Sequence, residues 1–348
     1  MTAYIYAGVA KLRDGSTGGL FRRSTEGGAW EQMTNGLPTE TDVHAITVHP
    51  SDPDIVYIGT KKGPFRSSNQ GATWQAMNFP FPGVQVWSIL VHPANHRVMY
   101  AGGAPIGVYR SDDAGETWRE LANPNMPERV KMPFPCRVMR LAAHPTDANV
   151  IYATLEVDGV MRTVDGGASW QDCSADLISL AERPALTNHL RSTLKAEGML
   201  DGHAIEVSPA EPDTVFVAVR MGLFRSADRG LGWEDMEIGR FSPLRYGRDV
   251  RVSPQDPRVM YACLSPASRS KDGSLYRSSD VGLTWERFDH TIQARATMMA
   301  VALHPRDPAQ VYCTARLGQV FGTQDAGRTW QEFPLPEVCQ DVFCLACG

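Results

Sequence analysis

The chain has 348 residues, 43% hydrophobic and 21% charged, with a formal net charge of −5, a length that admits one large core or two domains. That mild acidity leaves no footprint for nucleic acid or an anionic membrane, and no apolar run of about 18 residues, nor a basic start followed by an apolar stretch, reads as a membrane span or signal peptide. Seven cysteines, an odd number without regular spacing, argue against a disulfide framework and for a reducing, cytoplasmic setting.

The predicted elements recur in chain order. "AYIYAGV" opens as a strand, and "RSTEGGAW" ends at Trp30. Then comes a triplet: "ITVHP" and "IVYIGT", both Val- and Ile-rich runs bounded by Pro, Asp and Gly, followed by "SSNQGATW" (67–74). The same succession returns at "ILVHP", "VMYAGG" and "SDDAGETW" (111–118), and at "LAAHP", "VIYATL" and "TVDGGASW" (163–170). It continues through "IEVSP", "VFVAV" and "SADRGLGW" (226–233), "VRVSP", "VMYACL" and "SSDVGLTW" (278–285), and "VALHP", "VYCTA" and "TQDAGRTW" (323–330). The last residues, "DVFCLACG", form the first run of a triplet with no second. We designate the two apolar strands A and B, and the strands flanking the Trp motif C and D.

The motif is Ser/Thr-x-Asp-x-Gly-x-x-Trp. Its acid accepts N–H groups of a tight turn, its Gly permits positive φ, and its Trp anchors the returning strand. It resembles the Asp-box, or BNR, repeat of sialidases, xyloglucan-degrading hydrolases, sortilin-type receptors and photosystem assembly factors. Seven copies across the whole chain imply an all-β fold: one domain over 1–348, a seven-bladed propeller of four-stranded blades. Because the first copy lacks strand A and the last strand A lacks a B, the C-terminal strand is expected to complete the N-terminal blade. The resemblance does not decide function, since the repeat serves enzymes and binding proteins alike.

Successive motif tryptophans lie 44, 44, 52, 63, 52 and 45 residues apart, so three blades carry extra sequence. The additions are "NPNMPERVKMPFPC" (123–136), residues 174–201 and "LSPASRSKDGS" (264–274). All fall in B–C or D–A connections, on the face opposite the Asp-boxes, where binding is expected to concentrate. In the longest, Leu186, Leu190 and Leu194 repeat every four residues after Pro184 and Gly198 reads as a stop, predicting a short helical lid over the channel mouth. The alternative is a surface decoration packing by its leucines.

Counting five back from each His-Pro or Ser-Pro gives the start of strand A at that face: His44, Trp87, Met139, His203, Arg248 and Met299. Strand B exits add Lys61, Lys62, Glu156, Arg220 and Arg316, and neighbouring loops Arg137, Arg140, Asp201, Arg245, Tyr246 and Asp249. This basic set points to a small anionic or saccharide ligand held by Arg248, Arg220, Arg137, Arg316 and Lys61 with Tyr246. Trp87 would be a stacking platform or, alternatively, a channel plug. His203 or His44 would be a general acid or base. Glu156 and Asp201 form the one carboxylate pair suited to glycoside hydrolysis. No cofactor is implied; two imidazoles with Glu156, Asp201 or His189 could hold a divalent metal, but no H-x-H or H-x-x-x-H spacing supports it. His49, His92, His144 and His304 read as turn-bonding residues on the other face. The Arg-Ile-Pro motif of sialidases is absent. The expectation is therefore a cytoplasmic hydrolase or lyase, monomeric or weakly oligomeric, with a non-catalytic binding or assembly scaffold as the alternative.

Overall fold

The computed structural model describes residues 2–12 and 14–348. Seven four-stranded antiparallel sheets form a ring, their innermost strands packing blade against blade all the way round. The C-terminal strand Val342–Cys347 pairs with Tyr4–Val9, followed by Gly19–Ser24 and Gly27–Met33. The N-terminal blade is thus completed from the other end of the chain. Tyr4 and Gly348 exchange both backbone hydrogen bonds, at 2.7 and 3.0 Å.

Each Asp-box is a stapled turn. Ser111 Oγ donates to Asp113 Oδ1 at 2.8 Å and accepts the Gly115 N–H at 2.8 Å, while Asp113 accepts the N–H and hydroxyl of Thr117 at 2.9 and 2.6 Å. Two successive residues take left-handed φ, Ala114 at 63° and Gly115 at 88°. The sequence pattern marks the second of these by its Gly but conceals the first. So much chain goes into the turn that strand D shrinks to two residues, such as Arg119–Glu120. Blade 1 lacks the acid and makes a plain hairpin with a seven-residue last strand. The Arg of strand C ties neighbours together: Arg22 donates to Gln70 O at 2.6 Å and Arg162 to Arg229 O at 2.7 Å, each on the next blade. The His-Pro histidines serve the turns as expected, with His144 Nδ1 accepting the N–H groups of Thr146 and Asp147 at 3.2 and 3.0 Å.

The 174–201 insertion differs from the expected helix. It forms α1 (Ala175–Leu180), a single 3₁₀ turn at Pro184–Leu186, and α2 (Glu197–Leu200). The buried Glu197 carboxylate accepts the N–H groups of Arg191 and Ser192, holding the leucine-spaced stretch as a loop with Leu190 66% exposed. Gly198 lies inside α2 rather than ending a helix; its lack of a side chain serves close packing, since a Cβ there would meet the Asn188 amide at 2.3 Å. Leu177, Leu180, Leu186, Met199 and Leu200 pack onto the core between blades 4 and 5, so the segment is anchored by its leucines.

Removing residues 340–348 should leave blade 1 with an open, apolar edge; the expected result is aggregation or a strongly lowered Tm, measured by light scattering and thermal melts. The Asp-boxes carry an acid signature. The Thr117 side-chain and backbone bonds, with Ser111, bring Asp113 from 3.8 to about 2. A depressed carboxyl stabilises the fold above its unfolded pKa and loses that contribution as pH falls through the folded one. Tm should therefore drop between pH 4 and 2, and Asp113→Ala should have a lower Tm at pH 7 with a smaller drop on acidification.

Candidate functional site

Near the end opposite the Asp-box turns, the inner strand of every blade carries a one-residue irregularity in register. The shifts fall at Val43/Ala45, Val86/Ser88, Val138/Arg140, Gly202/Ala204, Gly247/Asp249, Met298/Ala300 and, in blade 1, where residue 344 pairs with Gly8 and 342 with Val9. A bulge re-aims one side chain. The re-aimed residues are His44, Trp87, Met139, His203, Arg248, Met299 and Phe343, which converge on the axis around a space of only about 10 Å³. The sequence count located six of them; Phe343 escaped it because the last strand A is followed by no His-Pro.

This ring is closed. The Trp87 indole stacks on His44 at 3.8 Å and 10°, Phe343 stands edge-on to it at 5.7 Å, and the Arg137 guanidinium lies 3.9 Å from its centre. With Trp87 5% exposed, no face is free to stack a ligand, so the platform expectation gives way to the channel plug. The variation that set this position apart is what interdigitation at an axis requires, because seven equal large side chains would collide. His44 is likewise an unsuitable acid or base near neutral pH: burial first, then Arg137, brings it down to about 3.

The basic surplus expected at this face is largely neutralised by acids. Arg137 pairs with Glu156, Arg220 with Asp201 and with Glu197 at 3.6 Å, and Arg316 with Asp341 at 2.6 Å. Lys61 reaches Asp42 at 4.0 Å but stays 62% exposed. Arg140 and Asp249, expected in the rim loops, lie deeper in the channel, where their Nη2 to Oδ1 distance is 3.8 Å. Arg248, 9% exposed, is in none of these pairs and projects into the plug.

What the structure brings together is a cluster spanning blades 4 to 6. His203 Nδ1 donates to Gly247 O at 2.7 Å, and its Nε2 lies 3.2 Å from the Tyr246 hydroxyl and 3.7 Å from Asp201 Oδ1. Burial pushes the Tyr246 phenol up to about 12, keeping it a proton donor. Burial also raises Glu156, against the pull of Arg137 and with the help of Asp201. For Asp201 burial acts upward too, but His203 and Arg220 outweigh it and hold the carboxyl well below its usual range. Beside the cluster opens a pocket of about 390 Å³, lined by Arg220, Tyr246 and Arg245 and walled by Asn188, His189 and Leu190 of one insertion and Pro266 to Ser268 of another. Two of the three insertions thus frame it from the side, and the 174–201 segment contributes a wall rather than a lid over the axis. Among the described residues no group of three His, Cys, Asp or Glu could hold a metal ion.

Comparison with known proteins places this geometry in context. The Sortilin-Vps10 family, described as sortilin, neurotensin receptor 3, matches residues 273–345. The chain is 24% identical over 214 residues to an oligoxyloglucan-reducing end-specific xyloglucanase of Emericella nidulans, covering 56% of this chain and 23% of that protein. It is 28% identical over 226 residues to the xyloglucanase Xgh74A of Acetivibrio thermocellus, covering 54% and 24%. The chain therefore spans about a quarter of the length of these curated relatives. Among solved structures, the GH74 xyloglucanase of Xanthomonas campestris superposes with a TM-score of 0.63 at 18% identity, over 99% of this chain and 52% of that one. YCF48 from Cyanidioschyzon merolae gives 0.61 at 16%, over 90% of both. With the seven blades, these similarities fit a BNR-type propeller superfamily without singling out a member.

Trp87→Ala should act on the plug rather than on a binding face, costing about 3–5 kcal/mol of stability by cavity formation. Denaturant unfolding measures the loss; an unchanged midpoint with weakened ligand binding would instead restore the platform.

Proposed function

We propose that this chain is a glycoside hydrolase-like propeller acting on a small anionic or saccharide substrate at the face opposite the Asp-boxes. One observation carries the reading: two carboxyls at the rim of adjacent blades sit in different environments, Glu156 on Arg137 and Asp201 between Arg220 and His203, with burial raising Glu156 and His203 and Arg220 lowering Asp201. That divergence is how an acid and its ionised partner share one pH. Glu156, its carboxyl raised by burial, would in its protonated form deliver its proton to the leaving-group oxygen as the glycosidic C–O bond breaks. Asp201 would stabilise the positive charge developing on the sugar, with water supplying the new C–O bond and giving up the proton that restores the Glu156 acid. Arg220, Arg245 and Tyr246 in the adjoining pocket would hold the substrate's anionic or hydroxyl groups. The names of the xyloglucanase relatives support a glycoside hydrolase-like role at low identity. Seven free thiols suit a reducing, cytoplasmic compartment, and we expect a monomer or weak oligomer.

A second reading, an assembly or binding scaffold, is favoured by a different observation. Both carboxyls already engage arginines, and YCF48 is covered to 90% of its length by this chain where the Xanthomonas campestris xyloglucanase is covered to 52%. A panel of xyloglucan oligosaccharides, sugar acids and phosphosugars, assayed for released sugar, separates the two. Under the enzyme reading Glu156→Gln and Asp201→Asn lower turnover by about 100-fold or more while retaining a cooperative melt. Because the acid must be protonated, turnover should be lost as pH rises through the folded pKa of Glu156, which lies above 4.5. Binding without turnover across the whole panel would favour the scaffold.

A further inference from the structure

A cavity larger than the rim pocket lies on the other face. From the Asp-box end the axial channel runs inward as a space of about 450 Å³, its mouth framed by Pro50, Pro93, Pro145, Pro209, Pro254 and Pro305. Its wall is made mainly of Val, Leu, Ile and Ala side chains of the inner strands, and its charged lining residues are Arg140, Glu206 and Arg251. Arg251 Nη1 donates to Glu206 Oε1 at 3.1 Å and its Nε lies 3.2 Å from Asp249 Oδ1, so one guanidinium serves two carboxylates. Asp249 Oδ2 also accepts the Val301 N–H at 3.1 Å.

Arg140 is left undersupplied. Its contact with Asp249 at 3.8 Å is too long for a hydrogen bond, and its buried Nε has no hydrogen-bond partner. Burial, then Arg251, pulls it down to about 10, as expected of a cation short of counter-charge.

We propose that this channel binds a small amphiphilic monocarboxylic acid, its carboxylate on Arg140 and its apolar body lying along the wall toward the proline-framed mouth. A planar carboxylate matches the donor edge of a guanidinium. Asp249 and Glu206 beside it oppose a second negative charge and so disfavour a phosphate dianion. The predominantly aliphatic wall leaves most sugar hydroxyls without partners, at a cost for each one desolvated. From Arg140 to Pro145 the inner strand runs five residues, about 16 Å at about 3.3 Å each, which accommodates an extended medium-chain acid. Entry is from the Asp-box face, because the seven-residue plug shuts the other end. The site shares neither Glu156 nor Asp201 with the proposed hydrolase centre and stands or falls apart from it.

Calorimetry on the full chain tests it with octanoate, octanol, octylamine and an apolar peptide with a free C-terminal carboxylate. Octanoate should bind once per chain, with octanol and octylamine about 10-fold weaker or more, and Arg140→Met should weaken octanoate about 10–100-fold. Leu90→Trp narrows the channel without touching a charge and should also abolish the binding, which keeps the test decisive if Arg140→Met fails to fold. Octanol binding as tightly as octanoate, octanoate unaffected by Leu90→Trp, or binding of the peptide alone would each overturn the proposal.

Discussion

A ring of blades has to close, and closure leaves a hole on its axis whose contents decide what each face can do. Here strand pairing between Tyr4–Val9 and Val342–Cys347 closes the ring, and seven bulges each turn one side chain toward the axis at the same level. Two imidazoles, an indole, a phenyl ring, two thioether chains and a guanidinium fill the axis at that level and leave only about 10 Å³. Two of the molecule's concavities are therefore separate rather than the ends of a through-channel. One is the pocket between insertions beside Arg220 and Tyr246; the other is the proline-framed channel ending at Arg140.

Much of this was legible in the sequence because it depends on local chemistry. The Ser-x-Asp-x-Gly spacing encodes a turn made entirely within seven residues, as the bonds among Ser111, Asp113, Gly115 and Thr117 show. Strand alternation and unequal tryptophan spacing then placed the blades and the elaborated face. Counting back from His-Pro found the axial residues because the bulge recurs at a constant offset from that turn. What could not be read was many-body. Whether Trp87 offers a face or fills a hole depends on His44, Arg137 and Phe343, which lie 43, 50 and 256 positions away. The leucine spacing of residues 186–194 is a fair helix signal, yet the buried Glu197 carboxylate draws the backbone N–H groups of Arg191 and Ser192 into a loop.

Charge at the elaborated face shows a similar gap between composition and arrangement. Counting arginines suggested a surplus, but Arg137, Arg220 and Arg316 each meet a buried or half-buried acid. Desolvated pairs of this kind contribute little net stability. What they supply is position: Glu156 and Asp201 are held at adjacent blade rims in fixed and different environments. The same pairing that would shape a catalytic centre would also suit a rigid recognition surface, which is why the two functional readings share one geometry.

The division of labour between faces explains how such a ring carries unrelated activities. The Asp-box turns and the interblade arginines sit at one end of each blade, while the insertions arise from B–C and D–A connections at the other. Lengthening a surface connection costs little in closure entropy, and the leucines of residues 174–201 offset that cost by packing between blades 4 and 5. New loops can therefore be added without disturbing the staples that hold the ring. The channel is more constrained: every inner strand must pack against two neighbours, so only its axial side chains are free to change. That Arg140, Glu206, Asp249 and Arg251 occupy axial positions in three consecutive blades, amid otherwise apolar or small residues, is a concentration of desolvated charge that ring packing alone does not require.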